Sequence, residues 1–180
     1  MGDFAPAPPR VVPYDPAWVT AYRHEAEMLS AVLVRVPHSV EHIGSTAVPG
    51  LPAKPVIDLM VGVTNYERFD EIHLALQAVG YVWDPAAERD EPSRKVFRKG
   101  PADLRQLRSH HLHLTTKADD YWRRILAFRD QLRRDPAAAA EYTAVKADLL
   151  RTCGGDSREY TRGKYDVVKR IERAAGVDVP

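Results

Sequence analysis

The sequence has one cysteine, almost no excess of charge of either sign and no long apolar run, and each absence excludes a class of protein. With Cys153 alone, no disulfide can form within the chain, which fits a reducing compartment. The 26 basic and 25 acidic residues leave a formal net charge of +1, which argues against a dedicated nucleic-acid coat or a polybasic membrane anchor. No apolar run approaches the length that spans a bilayer, and residues 1–6 lack the features of a secretory signal. We therefore predict a cytoplasmic protein with neither a membrane nor a nucleic-acid partner.

The length and the order of the predicted elements indicate one α+β domain over residues 1–180. Four prolines within residues 1–13 predict an extended N-terminal arm. Apolar periodicity and turn signals predict strands at 40–43, 56–63, 81–83, 95–98 and 111–115. The same signals predict helices at 17–35, 65–80, 119–134, 136–152 and 157–175. Strands followed by a run of helices predict a small mixed β-sheet flanked by helices, with a helical C-terminal half.

A small-residue turn between two predicted strands carries the most informative chemistry. Gly44 allows close approach of an anion to the backbone, and Ser45 and Thr46 offer hydroxyl and N–H donors to phosphate oxygens. Lys54 follows in a Gly/Pro-rich linker, and Asp58 interrupts the next apolar run as a hard oxygen ligand for magnesium. A tight hairpin with an acid at its edge would explain the same residues.

The amino-acid sequence of this stretch resembles that of the GrpB family, also called UPF0157, of the nucleotidyltransferase superfamily. The resemblance rests on Gly44 to Leu51 and Lys54 to Asp58. It continues through His111-Leu112-His113-Leu114, Tyr142 with Lys146, and Tyr160 with Lys164. It implies a nucleotidyltransferase-like fold that binds a nucleoside triphosphate, with ATP expected, together with Mg²⁺. The implied reaction transfers a nucleotidyl group to a small-molecule acceptor, or uses ATP to activate one.

The chain departs from the superfamily pattern at Met60, where the second acid of an acid-hydrophobic-acid motif would stand. Two-metal transfer relies on several carboxylates, and a thioether is a poor ligand for a hard cation. Three alternatives follow: catalysis with one metal ion, an acid supplied by Glu41 or Asp84, or a non-catalytic nucleotide- or coenzyme-binding module that has lost transfer.

Two histidines on one predicted strand are candidates for the missing ligand. His111 and His113 are two residues apart and therefore share a face. His113 is our first choice as a catalytic residue and metal ligand beside Asp58. A hydrogen bond to a backbone carbonyl is the competing interpretation, and two histidines without a cysteine pair fall short of the usual ligand set of a structural zinc site.

Five basic residues complete the predicted phosphate-binding set. Lys54 is close enough in sequence to Asp58 to reach the same ligand, and Arg94 and Arg98 would share a strand face and clamp a triphosphate. Lys146 and Lys164 enter through the resemblance, together with Tyr160, as the far wall of the cleft. The competing interpretations are a solvated loop, a charged edge strand and hydrogen bonding between helices. The near-neutral charge argues against modification of RNA ends.

Overall fold

The computed structural model describes residues 10–89, 91–100 and 108–177. Residues 1–9 of the predicted arm lie outside the described residues. The described residues form one sheet and six α-helices, with two short 3₁₀ turns.

Five strands form one mixed sheet in the spatial order β1-β2-β5-β4-β3. They are β1 (His38–Ile43), β2 (Ile57–Val63), β3 (Tyr81–Trp83), β4 (Lys95–Lys99) and β5 (His110–Thr116). The central pair β2 and β5 is parallel, whereas the other neighbours are antiparallel. All five predicted strands are present, and the α+β prediction is confirmed.

The helices are α1 (Ala17–Val32), α2 (Phe69–Ala78), α3 (Asp120–Arg134), α4 (Pro136–Thr152), α5 (Ser157–Gly163) and α6 (Tyr165–Ala174). Aspartates cap three of them: Asp119, Asp135 and Asp156 each accept hydrogen bonds from N–H groups in the first turn of α3, α4 and α5. Such caps satisfy donors that have no partner within the helix.

Three predicted helix boundaries are wrong. α1 ends at Val32 instead of about residue 35, and α2 begins at Phe69 because Asn65 caps a separate turn by accepting from the Glu67 N–H. The helix predicted over 157–175 is two helices that meet at Lys164. This break sets the position of Lys164 relative to α4.

One face of the sheet packs on α1 and α2 and forms the main apolar core. Its fully buried side chains include Leu29, Leu33, Leu59, Ile72, Leu76, Tyr81, Phe97 and Leu112. A second cluster joins α3, α4 and α6 to the segment that follows β1. In the described part of the chain, no helix is both long and apolar enough to cross a membrane.

Helix α3 covers part of the opposite face of the sheet. Met60 is fully buried there and packs with Ile43 and Tyr121. Gly62 makes the close approach possible, because a Cβ at this position would lie 2.5 Å from the Trp122 ring. The covered area ends beside Asp58, which stays partly exposed.

Candidate functional site

The turn after β1 holds the chain directly against Asp58. Ile43, the last residue of β1, pairs with Asp58 in β2, and Gly44 follows with φ +68° and ψ −172°. This backbone conformation is essentially restricted to glycine. A Cβ on Gly44 would also lie 2.5 Å from Asp58 Oδ2. The predicted closeness of the Gly-Ser-Thr turn and the acid is therefore present.

A cavity of about 80 Å³ opens beside this turn. It is lined by Ser45, Thr46, Ala53, Lys54, Asp58, Lys146, Tyr160 and Lys164. Cavities that enclose whole small ligands are several times larger, about 300–1,000 Å³. The cavity therefore has room for a phosphate-sized group and not for an entire nucleotide.

Three lysines from separate parts of the chain meet in this cavity. Lys54 lies in the linker before β2, Lys146 on α4 and Lys164 between α5 and α6. The ammonium groups of Lys54 and Lys164 each lie 4.7 Å from the centre of the Tyr160 ring, a cation–π arrangement. Lys146 donates to the Pro52 carbonyl oxygen, and its Nζ lies 3.4 Å from Ser45 Oγ. The side chains are thus held in place around the cavity.

Burial lowers the pKa of all three lysines, and the charge of Lys164 adds to the effect on the other two. Burial, together with the charge of Lys164, lowers the pKa of Lys146 to about 7 and that of Lys54 to about 8. Burial also lowers the pKa of Lys164, although Asp58 opposes the change. Since one carboxylate faces three amines, the cavity has an excess of positive charge that an anion would relieve.

Asp58 belongs to a chain of polar side chains that crosses the open part of the sheet. Its Oδ1 lies 3.1 Å from His111 Nδ1, and His111 Nε2 lies 3.1 Å from Arg98 Nη1. Arg98 in turn donates to Asp84 at 2.5 Å. Because a guanidinium only donates, His111 accepts at Nε2 and donates from Nδ1 to Asp58. Burial would raise the pKa of Asp58, but the His111 hydrogen bond and Lys164 hold it below its ordinary value.

His113 and Arg94 occupy a separate position further along the sheet. His113 pairs with Met60, whereas His111 pairs with Asp58. The His113 Nδ1 lies 2.7 Å from the Tyr121 hydroxyl and 3.2 Å from Arg94 Nη1. Burial, together with the Arg94 charge, lowers the pKa of His113 to about 3, so its ring is neutral at pH 7.

Thr46 lines the cavity, but its hydroxyl is engaged elsewhere. Thr46 Oγ1 lies 3.0 Å from His42 Nε2 and donates to the Val56 carbonyl at 3.4 Å. His42 stacks on Tyr22 of α1. The hydroxyl therefore joins the turn to the core and is not available to donate to a phosphate.

Most of the predicted site residues line this cavity or, in the case of Gly44, adjoin it, and three lie elsewhere. Those that line or adjoin it are Gly44, Ser45, Thr46, Lys54, Asp58, Lys146 and Lys164. Arg94, Arg98 and His113 lie further across the sheet. Tyr160, which the family resemblance places on the same wall of the cleft as Lys146 and Lys164, also lines the cavity. The sequence favoured His113 over His111 as the partner of Asp58, because the register of β2 against β5 cannot be read from the sequence.

The donor groups present do not fit a magnesium ion held by the protein. Magnesium binds oxygen ligands in near-octahedral geometry, usually one or two carboxylates with waters and substrate phosphates, and the cavity provides one carboxylate among three amines. Met60 is buried under α3, and the His113 Nδ1 is used by Tyr121 and Arg94. Glu41 and Asp84 pair with Arg129 and Arg98. Across the described ranges, no three His, Cys, Asp or Glu side chains are grouped to hold a metal.

Comparison with known sequences gives a consistent family match. A family model described as "GrpB protein" matches residues 8–174. A UPF0157 protein of Pseudomonas aeruginosa is 38% identical over 164 residues, which are 89% of this chain and 65% of that protein. The UPF0157 protein YqkA of Bacillus subtilis is 31% identical, over 92% of this chain and 46% of that protein. The chain thus spans about half to two thirds of these relatives.

A similar region also occurs in an enzyme of larger size. The dephospho-CoA kinase of Mycobacterium tuberculosis is 31% identical over 179 residues, which are 89% of this chain and 44% of that protein.

Solved structures agree with the fold. The crystal structure of conserved protein GrpB from Enterococcus faecalis has a TM-score of 0.80 and 36% identity, over 92% of this chain and 96% of that chain. The GLD-2/RNP-8 complex has a TM-score of 0.56 and 16% identity, over 89% of this chain and 60% of that chain, and shows the fold alone. The predicted nucleotidyltransferase-like fold is confirmed.

Proposed function

The chain belongs to the GrpB family, and we propose that it binds a nucleotide through its phosphates in the lysine-lined cavity beside Asp58. The observation that carries the proposal is the meeting of Lys54, Lys146 and Lys164 around a cavity of about 80 Å³. The ligand would be a nucleoside triphosphate or a nucleotide-containing coenzyme.

A phosphate group matches the cavity in charge and in size. Lysine ammonium groups are compact charges suited to phosphate oxygens, and burial costs make an unpaired group of cations unfavourable. One phosphoryl group would lie among the three lysines and Ser45, with the rest of the ligand outside. Because His111 and Arg98 are partly exposed on the adjoining face, further phosphates would extend towards them.

The fold and the charge favour a small nucleotide over a nucleic acid. By analogy with other proteins of this fold, the nucleotidyltransferase-like fold favours a nucleotide as the ligand. The net charge of +1 and the small cavity argue against an RNA or DNA backbone, which needs clustered cations. The similar region in a dephospho-CoA kinase adds dephospho-coenzyme A to the candidate ligands.

Calorimetric titration of ATP, GTP, CTP and dephospho-coenzyme A into the protein tests this proposal. Lys164→Met should weaken binding about 10- to 100-fold, because a hydrogen bond to a charged group contributes about 1.5–3 kcal/mol. Lys117→Met is the matched control, since Lys117 is exposed and does not line the cavity. Failure of all four ligands to bind the unaltered protein would refute the proposal.

Transfer of the nucleotidyl group to a small-molecule acceptor is a second candidate, favoured by the Asp58–His111 hydrogen bond of 3.1 Å. A partly exposed carboxylate, oriented by an imidazole, can accept a proton from an acceptor hydroxyl. Asp58→Asn should retain nucleotide binding and abolish pyrophosphate release in an acceptor screen with labelled ATP. Equal pyrophosphate release by the variant would exclude this role for Asp58.

A further inference from the structure

The charges around the cavity are the opposite of those in a metal-binding site. Two-metal transfer sites gather carboxylates, whose negative charge holds the cations that in turn hold the phosphates. Here Lys54, Lys146 and Lys164 surround a single carboxylate, Asp58. Positive charge at the phosphate site is therefore already supplied by the protein.

The strand positions around Asp58 that could supply further metal ligands are either buried by apolar packing or hydrogen-bonded to arginine. Met60, two residues after Asp58, is fully buried against Ile43 and Tyr121. The neighbouring strand β5 presents His111 and His113, and each accepts a hydrogen bond from an arginine. A guanidinium beside a ring nitrogen competes with a cation for the same lone pair. The residues that β2 and β5 place around Asp58 are therefore unfavourable for binding a divalent cation.

We propose that this cavity binds the free polyphosphate of its ligand and that the three lysines take the place of a metal ion. The proposal rests on the proposed function, since it concerns the same cavity. An uncomplexed triphosphate has more negative charge than its magnesium complex, so a site of fixed ammonium groups favours the uncomplexed form. A divalent cation brought in with the nucleotide would instead meet ammonium groups of its own sign and a single carboxylate, Asp58.

Calorimetric titration of ATP and of inorganic tripolyphosphate, in excess EDTA and in excess magnesium, tests the proposal. We expect both ligands to bind in EDTA at least as tightly as in magnesium. Lys164→Met should weaken binding in EDTA about 10- to 100-fold, and Lys117→Met should leave it unchanged. Binding that occurs only with magnesium, or EDTA binding that is unaffected by Lys164→Met, would overturn the inference.

The same titrations separate this inference from the proposed function. Binding that needs magnesium would leave nucleotide recognition intact and refute only the role of the lysines as a substitute for metal. Absence of ATP binding in both buffers would refute nucleotide recognition itself. A titration of Mn²⁺ without nucleotide, followed by electron paramagnetic resonance, should show only the spectrum of the free ion. Tight Mn²⁺ binding that Asp58→Asn removes would contradict the inference.

Discussion

Gly44 and Asp58 restrict each other at the start of the turn. The backbone of Gly44 has a conformation that other residues rarely adopt, and its Cα faces the Asp58 carboxylate with no room for a methyl group. Ser45 directly follows Gly44, so the direction of the Ser45 hydroxyl depends on the same turn. The turn is therefore a requirement of the site and not only of the connection between β1 and β2.

Gly44→Ala should lower the free energy of unfolding by about 1–3 kcal/mol from backbone strain and should also abolish phosphate binding, because the new Cβ displaces Asp58. Gly50→Ala is the control: Gly50 also has a positive φ, of +79°, but a Cβ there meets nothing within 4 Å. Chemical denaturation and calorimetry measure the two effects. Equal loss of binding in both variants would show that strain alone is responsible.

The low lysine pKa values predict that ligand affinity falls as pH rises from 7 to 9. In the free protein Lys146 loses its proton near pH 7 and Lys54 near pH 8, and a bound phosphate would raise both values. Binding then takes up protons, and uptake of one proton lowers affinity about tenfold per pH unit. Titration of tripolyphosphate at pH 7, 8 and 9 measures this slope. A constant affinity would contradict the assignment, since ordinary lysines with a pKa near 10.5 remain charged throughout.

At the scale of elements, α3 determines which sheet residues can take part in chemistry. It covers Met60 and leaves Asp58 at the border of the open face. An acid introduced at position 60 would therefore enter an apolar contact and would not join the site.

Met60→Asp should lower the free energy of unfolding by more than about 3 kcal/mol, because it buries an unpaired carboxylate beside Ile43 and Tyr121. Met60→Leu, which conserves volume, should cost less than about 1.5 kcal/mol. Urea denaturation compares the two variants. A stable Met60→Asp protein with new magnesium-dependent transfer would contradict the buried position.

The junction between α5 and α6 places Lys164, and its position depends on close packing with α4. A Cβ at Gly163 would overlap the end of the Leu149 side chain. Gly163→Ala should therefore displace α5 and weaken ligand binding, and Leu149→Ala added to it should restore affinity by making room. The double-mutant cycle is measured by calorimetry. Leu149→Ala alone serves as the control and should bind normally; a double variant as weak as Gly163→Ala would contradict the steric explanation.

For the whole molecule, the sequence could predict the strands and helices, and the site residues that lie close together in the chain. Gly44, Ser45 and Asp58 were predictable together because the turn directly follows one strand and the acid lies at the start of its antiparallel neighbour. Lys146 lies 101 positions from Ser45, so only the family resemblance placed it and Lys164 at the cleft. The choice between His111 and His113 depends on the parallel register of β2 and β5, and the break at Lys164 interrupts a stretch predicted as one helix. Neither is encoded in local periodicity.

The central claim is that the lysine-lined cavity is an anion site, and a crystal structure of the protein soaked with tungstate tests it most directly. Tungstate resembles phosphate in charge and shape, and its anomalous scattering locates it without ambiguity. The account predicts the strongest anomalous peak between the ammonium groups of Lys54, Lys146 and Lys164, and its loss in Lys164→Met. A peak at Arg98 and His111 instead, or none in the cavity, would contradict the account.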